Sequence, residues 1–252
     1  MSSPLIYTYP PLEAGILVRR YKRFFAEIEL TSGEVITAHC PNTGPMTDVC
    51  TVGSPVQVSR SNNPKRKLAY TWEMIQVPHP EPTWVGVNTG LPNRVMRSLL
   101  EQKQLPELAP RYDTVQREVV YGTQGKSRVD FLLTSSTHHP PLYLEVKNVT
   151  WTQGKIAVFP DTVTTRGQKH LGDLMGVLGE AKAAIVYFIN RGDCEQFAPG
   201  DSTDPKYGEL LRQAYHQGVE VYPYRFKVTP QGLYLLGLAE FLLSKPSREL
   251  TE

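Results

Sequence analysis

The chain has 252 residues, enough for one large domain or two small ones. Apolar residues make up 40% and charged residues 21%, which permits a packed core and excludes a chain that is disordered throughout. The formal net charge of +2 excludes nothing by itself, but the eight Lys and Arg of residues 1–90 all fall in two short windows. One is Arg19, Arg20, Lys22 and Arg23; the other is Arg60, Lys65, Arg66 and Lys67.

The first 80 or so residues read as short strands and turns. LEAGILVRR, RFFAEIEL and EVITAH come first, then PVQVSR and LAYTWEMIQV. Val56 and Val58 alternate with Gln57 and Ser59, as on a half-buried strand. Thr31-Ser32-Gly33-Glu34 reads as a hairpin turn, with Gly33 supplying a positive φ. About five strands without a helix predict a small β-barrel, the OB type among the candidates. Pro78-His79-Pro80-Glu81-Pro82 can hold neither helix nor central strand and reads as a linker. The expected division is therefore a barrel over 1–82 and a second domain over 83–252.

The second part alternates helices and strands. Pro92 to Gln104 reads as a helix with Val95, Leu99 and Leu100 on one face. Strands are expected at Val115–Tyr121, Arg128–Thr134 and Leu142–Val149, broken by Gly122 and Gly125 and by His138-His139-Pro140-Pro141. A helix within Thr164–Lys182 has an apolar stripe (Leu171, Leu174, Met175, Leu178, Ala181) and a polar one (Arg166, Lys169, His170, Asp173). Ala183–Ile189 is a continuous apolar run, as in a central strand. Asp204 caps a helix that Pro205 opens and Gly218 closes, and Val219–Phe226 is the last strand. The order α-β-β-β-α-β-α-β predicts a mixed-sheet α/β domain.

Chemistry concentrates on two of these strands. Residues two apart on a strand share a face, so Glu145 and Lys147 point one way, roughly 7 Å apart, while Leu144 and Val146 point into apolar packing. Asp130 faces opposite to Val129 and Phe131 and lies beside Glu145 if the two strands pair as a hairpin. Two carboxylates plus a substrate phosphate form a normal Mg²⁺ environment, and a neighbouring lysine can stabilise developing negative charge. This is a design for cutting phosphodiesters, with Mg²⁺ or Mn²⁺ as the expected cofactor. Glu118, one strand earlier, is a candidate third acidic group. A solvated strand face also carries Glu and Lys; the helices expected on both sides favour the chemical reading.

Tyr21, Phe24 and Phe25 interleave with the first basic cluster, a mixture that suits tracking phosphates and stacking on bases. The other reading makes Tyr21 and Phe24 barrel core. Arg166, Lys169 and His170 are candidates for a phosphate contact beside the carboxylates. His39, Cys40 and Cys50 are too few for a closed zinc site and read as a packed turn. Three cysteines without C-x-x-C spacing, no apolar run of membrane-spanning length and no leader-like N-terminal segment point to the cytoplasm. No Gly-rich phosphate loop supports a nucleotide-metabolising enzyme.

Several blocks in this order resemble the sugar fermentation stimulation protein (SfsA) family: Arg20-Tyr21-Lys22-Arg23-Phe24, Ala38-His39-Cys40-Pro41-Asn42-Thr43-Gly44 and Asn63-Pro64-Lys65-Arg66-Lys67-Leu68 in the first part. In the second they are Ser127-Arg128-Val129-Asp130-Phe131, Glu145-Val146-Lys147 and Phe159-Pro160-Asp161-Thr162-Val163-Thr164-Thr165-Arg166-Gly167. The resemblance implies an OB-like barrel followed by a domain similar to the PD-(D/E)xK nucleases, and DNA binding with little sequence preference. It implies that Asp130 matches the central metal-ligand Asp, and that Glu145 and Lys147 match the Glu-x-Lys; Val129 stands where the motif has proline. The functional expectation is a DNA-binding protein, RNA remaining open. Its contacts are Arg19, Arg20, Lys22, Arg23, Lys65, Arg66, Lys67, Arg166 and His170, and its metal-dependent nuclease site is Asp130, Glu145, Lys147 and Glu118. The alternative is a regulator of sugar-utilisation genes that binds DNA and uses the nuclease fold as a scaffold.

Overall fold

The computed structural model describes residues 3–78, 81–122, 127–137 and 139–244. His79 and Pro80 of the expected linker, Gly125 and His138 lie outside the described residues. The first strand, β1 (Leu5–Thr8), pairs antiparallel with the strand Gly232–Leu238 near the other end of the chain. Residues 5–8 therefore sit on the second domain's sheet, although the division at 82 counts them with the barrel.

Five strands close the barrel: β2 (Leu12–Tyr21), β3 (Phe25–Leu30), β4 (Val35–His39), β5 (Pro55–Arg60) and β6 (Tyr70–Val77). Their order is β4-β3-β2-β5-β6, and β6 returns parallel to β4 through Ala38–Tyr70 and His39–Thr71, the OB arrangement. Alternation decides what faces in. Ala26, Ile28 and Leu30 of β3 are buried with Val56, Val58 and Trp72, while Glu27 and Glu29 point away. Gly33 turns β3 into β4 at φ +85°, where a side chain would be strained.

β7 (Thr83–Gly86) follows the proline-rich segment directly. It pairs with β6 and, through Trp84–Val228, with the second domain. That domain continues with α1 (Leu91–Glu101), β8 (Thr114–Tyr121), β9 (Ser127–Thr134) and β10 (Leu142–Val149). The short β11 (Thr152–Gln153) and β12 (Ile156–Phe159) come next, then α2 (Thr165–Gly176), β13 (Lys182–Ile189) and β14 (Gln196–Pro199). The chain ends in α3 (Pro205–Gln217), β15 (Glu220–Thr229), β16 (Gly232–Leu238) and β17 (Glu240–Phe241). β8, β9 and β10 are antiparallel neighbours, and β10, β13 and β15 are parallel, so the sheet is mixed. β11, β12, β14 and β17 form a small second sheet. α1 packs its Val95, Leu99 and Leu100 on the face carrying Phe131, Leu144 and Val146. The opposite face, with Ile185 and Tyr187, is covered through Leu171 and Leu174 of α2 and Leu211 of α3. Among the described residues no helix is long and apolar enough to cross a membrane.

α2 stops at Gly176, so Leu178 and Ala181 of the expected stripe lie beyond it. α3 matches its sequence signals: Asp204 caps it, Pro205 opens it and Gly218 ends it at φ +108°. Asp204 is also a junction. It accepts from Tyr207 N at 3.0 Å, from Thr164 N at 2.9 Å and from Gln168 Nε2 at 2.9 Å, tying the starts of α2 and α3 together. Burial works to raise its carboxyl, but the Thr164, Gln168 and Tyr207 donors prevail and hold it below the usual range. Replacing Asp204 with Ala removes a cap and strands a backbone N–H, so urea unfolding at pH 7 will show a loss of about 2–3 kcal/mol. Because the folded value is the lower one, this contribution is present above the unfolded pKa and disappears as pH falls through the folded one. The stability gap between the two proteins will therefore begin to narrow only below about pH 4.

Candidate active site

The site forms where two strands part. The ladder between β9 and β10 pairs Leu142, Tyr143 and Leu144 with Leu133, Leu132 and Phe131, and stops there. The next pair in that register is Glu145 opposite Asp130. The Val146 N–H, which points toward β9, donates instead to Asp130 Oδ2 at 2.7 Å. Asn93 of α1 donates its Nδ2 to Asp130 Oδ1 at 2.7 Å. The Asp130 side chain thus stands in for a strand carbonyl and is held from two sides.

Glu145 is 3% exposed. Its Oε1 accepts from Lys147 Nζ at 2.6 Å and is in hydrogen-bond contact with His170 Nδ1, on α2. Its Oε2 is buried with no partner among the described residues. An ionised carboxylate only accepts, so His170 Nδ1 carries the proton, and Nε2 accepts from Arg166 Nε at 3.4 Å. His170 thus presents its Nδ1–H to Glu145. Its Nδ1 lies 3.2 Å from Lys147 Nζ but cannot also accept from it, which leaves two of the three ammonium N–H groups free of these partners.

These placements set the charges. Burial first, and the neighbouring Glu145 charge second, push the Asp130 carboxyl up to about 6, against the Val146 N–H, Lys147 and Asn93. Burial acts on Glu145 in the same sense. There the His170 hydrogen bond and the Lys147 charge win, and the carboxyl stays below its usual range. The pair is divided: one carboxylate is fixed in the ionised form, and its neighbour ionises only toward neutrality.

The other expected residues fall into three groups. Lys147, 14% exposed at its side chain, joins the carboxylates as the strand pattern implies. His170, expected on the polar stripe, is 6% exposed and faces the carboxylates, where it orients Glu145. Arg166 and Lys169 are exposed on the same helix. Glu118 lies opposite Asp130 in the β8–β9 register but is exposed at φ +52°, and it takes no part in the hydrogen bonds of the carboxylate cluster. The left-handed backbone turns it out of the ladder.

The first basic cluster is split. Arg19 makes a bidentate ion pair with Glu27 at 2.6 and 2.7 Å and lies over the Tyr21 ring. Arg20 donates to the carbonyls of Asn42 and Gly44, both at 2.9 Å, and braces that loop. Lys22 and Arg23 form the exposed β2–β3 turn with Phe24, which is 51% exposed and hence not core. Tyr21 stacks on Phe25, both half-buried. Lys65, Arg66 and Lys67 are exposed in the β5–β6 loop, and Arg66 donates to Thr71 Oγ1 at 3.0 Å.

Three neighbouring groups take their places from packing: Asn93, the Tyr121 hydroxyl, buried with no partner among the described residues, and Ser127, whose Oγ donates to Asp173 Oδ2 at 2.5 Å and accepts from Lys169. Each depends on an approach between elements distant in sequence.

Among the described residues no three or more His, Cys, Asp or Glu side chains group as a metal cage, at His39, Cys40 and Cys50 or elsewhere. Asp130 and Glu145 nevertheless fit a hard divalent cation of the kind that keeps several waters and takes one or two carboxylates. The donors are oxygens, and the buried Glu145 Oε2 lacks any other partner among the described residues.

The raised Asp130 carboxyl has a measurable consequence. A folded value above the unfolded one favours folding at low pH and loses that contribution as pH rises through about 6. Asp130→Asn keeps an acceptor for Val146 and removes the charge. In EDTA the variant will be more stable than the parent at pH 8, by up to about 3 kcal/mol, and the gap will close by pH 4 in urea titrations.

Two family models match in succession: the SfsA N-terminal OB domain over residues 18–87 and the sugar fermentation stimulation protein RE domain over residues 90–232. A sugar fermentation stimulation protein homolog of Picosynechococcus sp. is 65% identical over 238 residues, 94% of each chain. One from Thermosynechococcus vestitus is 62% identical over 246 residues, 96% of this chain and 100% of the other. Among solved structures, Pyrococcus furiosus SfsA in complex with Ca²⁺ shares the fold with a TM-score of 0.83, over 95% of this chain and 100% of that one, at 23% identity. Both domains lie within these matches, and the chain belongs to the SfsA, or sugar fermentation stimulation protein, family.

Proposed function

We propose that this protein binds a nucleic-acid strand at one rim of its barrel and hydrolyses a phosphodiester at Asp130, Glu145 and Lys147. The observation that carries the reading is the buried Glu145 Oε2, without a partner among the described residues, while Lys147 and His170 hold Oε1. An orphaned carboxylate oxygen in a buried site is costly unless a ligand completes it.

Asp130 and Glu145 would hold a divalent cation, Mg²⁺ or Mn²⁺. When bound, such an ion supplies charge neutralisation at the phosphoryl group and a lowered pKa for water. The chain's own groups do the rest. Lys147 offers its free N–H donors to a phosphate oxygen and stabilises the charge that grows there as water attacks phosphorus and the P–O bond to the leaving strand breaks. Arg166 and Lys169, exposed on the first turns of α2, are placed for the flanking phosphates. His170 and Asn93 orient the carboxylates.

The barrel supplies binding. Its two basic loops share a rim, because Phe25 beside the β2–β3 turn pairs with His39, His39 pairs with Thr71, and Arg66 bonds Thr71. Lys22, Arg23, Lys65 and Lys67 present charge to phosphates, and Phe24 presents a ring to bases. DNA is the expected strand, with RNA a second substrate to test.

One observation favours the non-catalytic reading, a DNA-binding regulator of sugar-utilisation genes: both Asp130 oxygens already accept hydrogen bonds. Cleavage of labelled single- and double-stranded DNA and RNA in EDTA, Mg²⁺ or Mn²⁺ separates the two. The nuclease reading expects metal-dependent products that Glu145→Ala abolishes, along with the Mn²⁺-induced rise in Tm, while fold is kept. Products made equally well by Glu145→Ala would remove the site. Binding with no product under any metal would leave the regulator.

The rim is tested separately. Replacing Lys65, Arg66 and Lys67 together with Ala will weaken binding and make the slope of log K against log salt shallower by about 2 to 3. An unchanged slope removes this loop from the interface.

A further inference from the structure

A second recess lies next to the carboxylates and has no part in the account above. It is a cleft of about 170 Å³ whose lining includes Asn42, Thr89, Asn148, Trp151, Phe159 and Asp161. β10 runs from Lys147 straight into it at Asn148. Asp161 precedes by three residues Thr164, the cap of the helix that carries Arg166 and His170. The third wall is the barrel loop 41–44, which Arg20 braces at the same rim as the basic turn. The cleft therefore lies where the barrel loop 41–44 meets the carboxyl end of β10, the strand that carries Glu145 and Lys147, and carboxyl ends of parallel strands are where such sheets open a crevice.

Its walls are fixed. Thr89 Oγ1 donates to the Pro41 carbonyl at 2.9 Å, Asn42 Oδ1 accepts from Gly44 N at 2.9 Å, and Asn148 Oδ1 accepts from Asn190 Nδ2 at 3.0 Å. Both asparagine oxygens are thus used inside the protein, and their NH₂ groups are the donors left for the cleft. Among the described residues the half-buried Asp161 carboxylate accepts only from its own backbone N–H and makes no ion pair. Burial raises its carboxyl above the usual range. A preformed hollow with an acceptor-only carboxylate, amide donors and aromatic neighbours is chemically a base-reading site. Its volume is below the roughly 300 Å³ at which pockets for drug-sized ligands begin, so it suits one planar ring system and not a whole nucleotide.

We propose that this cleft takes one unpaired base of the bound strand, guanine in preference, with Asp161 accepting from its Watson–Crick edge. The choice follows from donors. Guanine offers adjacent N1–H and N2–H groups to both carboxylate oxygens; thymine offers one ring N–H and no amino group. A partly desolvated carboxylate left unmatched disfavours the wrong base. The proposal rests on the nucleic-acid reading above and sharpens it: the substrate has a single-stranded or unpaired segment at the site.

The test uses the full chain in EDTA, so that no strand is cut. Fluorescence anisotropy compares a labelled oligothymidine with the same strand carrying one central deoxyguanosine or one central abasic residue. The guanine strand should bind about tenfold more tightly than the abasic one, as expected for a good bidentate base contact. Asp161→Ala should abolish that difference while salt-dependent binding of oligothymidine persists. Asp161→Asn, nearly isosteric, should do the same and guards against a folding defect, with Tm measured for each variant. Equal affinity for the guanine and abasic strands in the parent protein, with the Lys65–Lys67 dependence intact, overturns the cleft and leaves nucleic-acid binding standing. A guanine preference that survives in both variants also overturns it. No binding of any strand overturns the nucleic-acid reading itself, and the inference with it.

Discussion

The hydrogen bond from the Val146 amide to Asp130 is the constraint on which the rest of the site depends. A buried backbone N–H must find an acceptor, and in a continuous hairpin that acceptor would be a carbonyl of β9. Here a side chain takes the role, so β9 is released from the ladder after Phe131. The gap this opens holds two carboxylates side by side, an arrangement that burial and mutual repulsion both oppose. Lys147 and His170 offset that opposition at Glu145, and little offsets it at Asp130, whose carboxyl is accordingly raised. Stability is given up at a place where the sheet is otherwise most secure, since β10 is paired with β13 along its full length. That combination of a destabilised polar centre and a rigid surround is what a preorganised ligand site requires.

How much of this is readable from the chain depends on how local the cause is. The barrel strands follow from alternation, and α3 follows from Asp204, Pro205 and Gly218, three adjacent-sequence effects. The proximity of Asp130 to Glu145 also follows, because a hairpin and a period of two suffice to bring them together. His170 does not. Helical spacing puts it on a polar stripe with Arg166 and Lys169, and only the packing of α2 over β10 reveals that this stripe is turned partly inward, toward polar partners. Asn93 is harder still, since its partner lies 37 residues away on another element. The strands without a sequence signal, β1, β7, β11, β12, β14 and β17, have two to four residues each, too short for any period to show; β16 is longer but apolar throughout, so it shows no alternation either.

The basic residues of the barrel show the same limit in electrostatic form. Arg19, Arg20, Lys22 and Arg23 are one cluster in sequence and two in space. A bidentate partner neutralises Arg19, and the guanidinium of Arg20 is committed to loop carbonyls. What remains is charge at the tip of a turn whose Lys22 and Arg23 both adopt positive φ, an unfavourable conformation for non-glycine residues. Counting charges in a window overstates the surface available to phosphate; their partners decide it.

The proline-rich segment before β7 suggests two bodies on a tether, but the bonds around it tie them together. β7 bridges β6 and β15, Gly86 N donates to the Asn190 carbonyl at 2.9 Å, and β1 crosses from the start of the chain to β16. Thr89 closes the contact from the other side through Pro41. A strand lying on the barrel rim would therefore meet the carboxylates at a fixed separation, without a hinge to close. Binding energy gained at Lys22, Arg23 and the Lys65–Lys67 loop could then be spent on positioning a phosphate at Lys147, because little of it is lost to ordering the two domains. The same rigidity would make the cleft, walled by Asn42 on one side and Asp161 on the other, a fixed measure along such a strand.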